Sequence, residues 1–178
     1  EEMGYYIEHA DASLKKDKEI VLAAIKSDAN ALEYVDASFK KDKKIVLMAV
    51  SSKSSALEFA DNSLKKDKEI VMIAVKQNGY SLKYADNSLK KDREVVLEAV
   101  KTNGNSLDFV DTSLKKDKEI TLNAVKNEGR SLEYADDSFK KDKEIVLAAV
   151  IQAGVDAIEF ADKSLKKDKD IVKASKKK

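Results

Sequence analysis

SLKKDKEI, residues Ser63 to Ile70, returns almost unchanged about every 25 residues along the chain. It reads SLKKDKEI from Ser13, SFKKDKKI from Ser38, SLKKDREV from Ser88, SLKKDKEI from Ser113, SFKKDKEI from Ser138 and SLKKDKDI from Ser164. Self-similarity at a fixed short period marks a stack of supersecondary elements, each too small to bury its apolar face alone. The predicted architecture is all-α: an α-solenoid of short helix-turn-helix repeats with a period of 25 residues, about six and a half to seven of them. One array over residues 1–178 is expected, with a partial first repeat at 1–12, repeats beginning near Ser13, Ser38, Ser63, Ser88, Ser113 and Ser138, and a capping half repeat at 164–178.

The repeat from Ser63 to Asn87, SLKKDKEIVMIAVKQNGYSLKYADN, shows the local logic. Asp67 is a natural N-cap, because its carboxylate can accept from the orphan amides of a first turn and suits the positive end of the helix dipole. Glu69 adds to that end. Ile70, Val71, Met72, Ala74 and Val75 then cover about half the circumference at 100° per residue, so a helix packed between neighbours is expected. A short second helix follows, with Leu82, Tyr84 and Ala85 turned inward and the Tyr84 hydroxyl at a wet edge. Asp86 and Ser88 bond nearby backbone in the return, and Leu89 (Phe39 and Phe139 elsewhere) anchors it.

All five glycines, Gly4, Gly79, Gly104, Gly129 and Gly154, occupy one repeat position. The pattern predicts a first helix that ends there through positive φ, as in a Schellman or αL cap. Ala29 and Ser54 depart from it, and keeping a left-handed backbone at either would cost on the order of 1 kcal/mol.

The two ends read differently. Gly4, Tyr5, Tyr6 and Ile7 match Gly79 to Leu82, so the chain enters at a half repeat, and Ile7, Leu14, Ile20 and Val21 are expected to present uncovered apolar surface. Self-association through that end is one expected consequence. At the other end Lys173, Ser175 and Lys176 stand where earlier helices carry Leu, Ala and Val, which predicts a polar outer face.

The pattern D-K-E-I-V-x-x-A-V-K-x-N-G-x-S-L-x-Y-A, followed by a short polar return and L-K-K-D, resembles the DUF4116 repeat family over nearly the whole chain. That resemblance implies a tandem α-helical repeat with no assigned activity, and it carries over no catalytic residues. The departures are Ala29, Ser54 and one extra residue after Gly154, which lengthens that repeat to 26.

Composition narrows the chemistry. The chain is 38% charged with a net charge of +1, a solvated surface of mixed sign. It contains no cysteine and one histidine, so thiol mechanisms and zinc sites lack a ligand set. His9 shares the repeat position of Tyr34 and Phe59 and reads as a substituted packing residue. The Asp36, Ser38, Asp42 spacing is similar to an oxygen-rich calcium loop but lacks its glycine and terminal glutamate, and two lysines sit in its middle. Single glycines make no phosphate loop. No cofactor and no enzymatic activity are expected. Without a long apolar run or a signal segment the chain reads as soluble, cytoplasmic by default, with no membrane partner.

Two surfaces remain. The lysine pairs, including Lys40 with Lys41, Lys65 with Lys66, Lys90 with Lys91 and Lys115 with Lys116, would form a basic edge able to meet a polyanion or nucleic acid. Against that, acidic residues follow each pair and base-stacking aromatics are missing. The other surface is the set of positions that vary between repeats. On the first helix these are Ala23, Met48, Ile73, Glu98, Asn123 and Ala148, beside Ser27, Ser52, Gln77, Thr102, Asn127 and Gln152. Just past the cap come Asn30, Ser55, Tyr80, Asn105 and Arg130. One exposed stripe is expected, with Met48, Ile73, Gln77, Tyr80, Glu98, Asn105, Asn123 and Arg130 as its contact residues. The reading is a noncatalytic scaffold that binds another protein through this stripe. The alternatives are polyanion binding through the lysine edge, and a structural or self-assembling spacer.

Overall fold

The computed structural model describes residues 6–176. Gly4, Tyr5 and the last two lysines lie outside the described residues. Among those described every element is helical, as the 25-residue pattern demands. The chain divides into two compact halves, Glu1–Leu89 and Lys90–Lys178, with the boundary inside the return after Leu89.

In the first half the long α-helices are α1 (Lys18–Ser27), α2 (Lys43–Ser52) and α3 (Lys68–Gln77), with a single α-helical turn at Ala37–Lys40. Each long helix is followed by a short 3-10 helix: Ala29–Glu33, Ser54–Phe59 and Gly79–Tyr84. α1 packs on α2 and α2 on α3, while the 3-10 helices form a second row. The second half follows the same plan with α4 (Arg93–Thr102), α5 (Lys118–Asn127), α6 (Lys143–Ala153) and α7 (Lys169–Ser175), except that a short α-helical turn, Val155–Ile158, follows α6. Its 3-10 helices Gly104–Phe109 and Gly129–Tyr134 again lie side by side. Each half is thus an all-α stack of solenoid type.

The α-helices start where the aspartates predict. Asp67 Oδ1 accepts from the amides of Glu69 at 3.0 Å and Ile70 at 3.4 Å. Asp17, Asp42, Asp92, Asp117, Asp142 and Asp168 cap their helices in the same way. The broad apolar face is buried: Ile70, Val71, Ala74 and Val75 are all 0% exposed, and Met72 is half-buried. Each such isoleucine or valine contributes roughly 1.5–3 kcal/mol of burial free energy.

The second helix is 3-10, and this changes its face. Three residues per turn align Gly79, Leu82 and Ala85 rather than Leu82, Tyr84 and Ala85. Leu82 and Ala85 are buried, Tyr84 is half-buried at the edge, and Ser81 is buried where no inward residue was expected. The return behaves as predicted at its polar residues: Asp86 Oδ1 accepts from both the Ser88 amide and its hydroxyl. Its apolar anchor is buried only at Leu89, half-buried at Phe39, Leu64, Leu114, Phe139 and Leu165, and exposed at Leu14.

The expected glycine cap is not what ends α3, α4 or α5. Among the described residues positive φ occurs only at Gly154, at 63°. There α6 runs to 11 residues, in the repeat that carries the extra residue. Elsewhere the helix ends one residue earlier, where the chain swings into extended backbone, as at Asn78 (φ −152°, ψ 111°). Asn78 then caps the 3-10 helix, its Oδ1 accepting from the Tyr80 amide at 3.0 Å. Asp28 and Asn103 do the same, while Lys53 and Glu128 make the bend without a side-chain cap. No left-handed strain arises at Ala29 or Ser54, because no described non-glycine residue has positive φ.

The glycine is needed for proximity instead. A Cβ on Gly104 would lie 2.3 Å from the carbonyl oxygen of Ala124 and 2.9 Å from Glu128 Cβ. One on Gly129 would lie 2.3 Å from Ala149 O and 2.7 Å from Ala153 Cβ. In the second half, the starts of the 3-10 helices at Gly104 and Gly129 therefore press against the last turn of the next repeat's α-helix.

The ends correct two expectations. Ile7 and Val21 are buried, at 2% and 0% exposed, whereas Leu14 and Ile20 stand 41% and 36% exposed. At the other end Lys173 and Lys176 face solvent, but Ser175 turns inward and donates to Val172 O at 2.9 Å.

Candidate functional site

Most of the invariant polar residues are spent on joining repeats. The lysine or arginine at the first position of one α-helix reaches the cap aspartate and the acid two residues on in the next. Lys43 Nζ lies 2.7 Å from both Asp67 Oδ2 and Glu69 Oε2. In the second half Arg93 pairs with Asp117 and Glu119, Lys118 with Asp142 and Glu144, and Lys143 with Asp168 and Asp170. The charges answer in kind. Hydrogen bonds to Asp142 and Glu144 push the Lys118 ammonium up to about 12, and Lys118 in turn holds the Asp142 carboxyl below its ordinary value.

A second clasp is made by amide side chains at the end of the α-helix. Gln77 Nε2 donates to Val50 O at 2.9 Å and Ser51 O at 3.0 Å, which are orphan carbonyls of the preceding helix. Asn127 Nδ2 donates to Lys101 O, and its Oδ1 accepts from the Gly104 amide at 2.7 Å. Gln152 repeats the pattern with Asn127 O and the Gly129 amide. A backbone bond completes the junction: the amides of Asp36, Asp61 and Asp86 donate to Lys15, Lys40 and Lys65 O, and those of Asp111 and Asp162 to Lys90 and Lys140 O.

The lysine edge is largely occupied. Lys15, Lys40, Lys115 and Lys166 each turn Nζ back onto the carbonyl seven residues earlier, at Glu8, Glu33, Asp108 and Glu159. Burial pushes the Lys115 ammonium down. The second lysine of each pair points more freely: Lys16 and Lys91 lie 4.0 and 3.8 Å from Asp36 and Asp111, and Lys41, Lys66 and Lys116 are exposed. Lys65 and Lys90 are half-buried. These aspartates sit below the usual carboxylate range, at Asp61 chiefly because the Ser63 hydroxyl and amide both donate to it.

The varying positions do not form one uniformly exposed stripe. In the first half Met48 and Ile73 are half-buried, Gln77 is exposed but bonded to α2, and Tyr80 stands 41% exposed with Lys83 Nζ 5.3 Å from its ring centre. In the second half Glu98, Asn105 and Asn123 are half-buried. Asn123 bonds back to Glu119 O, and exposed Arg130 lies 3.5 Å from Asp156 and over the Phe160 ring. Sequence comparison missed the amide clasp because Ser, Gln, Thr and Asn alternate there, and only the amides have the reach.

Among the described residues no cluster of His, Asp and Glu is placed to hold a metal, and no helix is long and apolar enough to cross a membrane. His9 is exposed and lines an apolar cleft at the N-terminal end. A family model described as a domain of unknown function (DUF4116) matches residues 1–40, 42–90, 67–115, 92–140, 117–166 and 142–178. From residue 42 the matches start one period apart, and the four from 42–90 to 117–166 span two repeats each, so the junction lies inside the family's own pattern. No curated protein and no solved structure matches the chain.

Proposed function

The chain belongs to the DUF4116 repeat family, and from that premise we propose that it is a noncatalytic scaffold which binds another protein through its between-repeat variable positions. One observation carries the reading. The fixed polar residues serve the junctions or the return turns, while Ala23, Met48, Ile73, Glu98, Asn123 and Ala148 change chemistry at a constant half-buried position. Such a position touches solvent and contributes to the stack without being needed by it. Met48, Ile73 and exposed Tyr80 supply apolar and aromatic contact area in the first half, and Glu98, Asn105, Asn123 and Arg130 supply polar contacts in the second. Gln77 is withdrawn from the contact set, since its amide is engaged with α2.

The occupied lysines weigh against the polyanion alternative. The experiment is to retest purified binding proteins, recovered by proximity labelling, against Ile73→Glu with Tyr80→Ala and against Lys66→Glu with Lys116→Glu. The reading expects at least a tenfold loss on the first variant and little change with salt. Loss confined to the lysine variant, with a steep fall between about 50 and 200 mM salt, would instead support a polyanion.

A further inference from the structure

The N-terminal face of the first half carries a cleft of about 390 Å³ lined by Tyr6, Ile7, His9, Ala10, Leu14, Ile20 and Ala24. Its occupant can be read from the other repeats. Ile20 is the third residue of α1 and is 36% exposed. Its equivalents Ile45, Ile70, Ile120 and Ile145 are at most 3% exposed. Within the first half, the helices that carry Ile45 and Ile70 each follow another α-helix packed on them, which α1 lacks among the described residues. The third position therefore faces the preceding repeat.

Charge gives the same address. Asp17 and Glu19 hold the positions of Asp67 and Glu69, which Lys43 clasps, and of Asp142 and Glu144, which Lys118 clasps. Among the described residues no basic side chain lies within ion-pair distance of Asp17 or Glu19. An apolar cleft next to an acidic pair is the acceptor half of this chain's own junction.

The donor half is equally defined. The fourth and eighth residues of a helix face the following repeat: Val146 and Val150 of α6 are 0% exposed, whereas Val172 of α7 is half-buried and Lys176 exposed. A matching donor thus has a basic first residue, β-branched fourth and eighth residues, and Leu or Met at the fifth. The chain's own α7 keeps Lys169 and Val172 but has Lys173 and Lys176 at the two remaining places, so a second copy is a poor donor.

We propose that this face is a docking site for a further α-helical repeat of the DUF4116 type, recognised by its apolar fourth, fifth and eighth residues and by a first-turn cation that meets Asp17 and Glu19. This surface is separate from the variable positions, so either reading can fail alone.

The test supplies a donor by restoring α7. The 178-residue chain carrying Lys173→Leu and Lys176→Val, with its own cleft blocked by Ile20→Glu, is mixed with the unmodified chain in sedimentation velocity. The expected result is a 1:1 complex, abolished when the acceptor carries Ile20→Glu. It should weaken at least tenfold when the acceptor carries Asp17→Asn with Glu19→Gln, substitutions that keep polar side chains at the helix start. Absence of a complex, or one indifferent to the acceptor substitutions, overturns the proposal, as does self-association of the unmodified chain through Ile20. Circular dichroism of each variant, matching the unmodified chain, separates lost docking from lost folding.

Discussion

The amide of Gly104 donates to Asn127 Oδ1 at 2.7 Å, across 23 residues of sequence and the full junction between two repeats. The bond requires the backbone of one repeat to lie against the last turn of the next α-helix, which leaves no room for a Cβ at residue 104. The recurrent glycine at this position is therefore a statement about its neighbour, as are the cap aspartate and the lysine or arginine that clasps it.

The first prediction follows from a junction that lacks its clasp. By repeat register Lys18 corresponds to Lys43, and Asp42 and Lys44 to Asp67 and Glu69, the one place where a lysine replaces the second acid of the pattern. Lys44→Glu should raise stability by about 0.5–1 kcal/mol, partly through the helix dipole and partly through a new exposed ion pair with Lys18. A double-mutant cycle with Lys18→Met isolates the pair. That share should vanish in about 1 M salt. A destabilising Lys44→Glu would contradict the clasp.

Ser106 and Ser131 bury hydroxyls that have no hydrogen-bond partner among the described residues. Ala31, Ala56 and Ala157 occupy the equivalent place at no more than 1% exposure. Removing an unsatisfied buried hydroxyl relieves a desolvation penalty, so Ser106→Ala should stabilise by about 1 kcal/mol in denaturant unfolding. A loss of that size would show that the hydroxyl is bonded in solution.

Acid should weaken the fold in a defined window. The Ser63 and Ser113 hydroxyls and amides, which hydrogen-bond to Asp61 and Asp111, hold those carboxyls below their ordinary 3.8, as the Ser138 and Ser164 groups do for Asp136 and Asp162. Groups with a depressed native pKa bind fewer protons folded than unfolded, so their contribution is complete above the ordinary value and disappears as pH falls through the native one. Tm should be flat from about pH 5 to 8 and decline below about pH 4. Replacing Ser63, Ser113 and Ser138 with alanine should make that decline shallower. A Tm unchanged at pH 2 would remove these bonds from the account.

The period, the cap at Asp67, the buried set Ile70, Val71, Ala74 and Val75, and the Asp86 and Ser88 turn were legible because each is a local consequence of residue type and spacing. The role of the glycines was not. Positive φ and close approach both select glycine, and only the position of Ala124 in the next repeat separates them. The 3-10 character of Gly79–Tyr84 had a signal in the three-residue spacing of Gly79, Leu82 and Ala85, which an α-helical reading overlooks. Lys115 looked like part of a free basic run because its acceptor, the Asp108 carbonyl, is a backbone atom with no mark in the sequence.

The central claim is that the invariant residues hold repeat to repeat, and Gly104→Ala tests it most directly. Alanine is allowed at a residue with negative φ, so a purely local view expects a neutral or slightly stabilising change. The junction instead predicts a loss of about 1–3 kcal/mol in equilibrium unfolding, from overpacking against Ala124 and Glu128. A change within about 0.3 kcal/mol of zero would contradict the close approach and the account built on it.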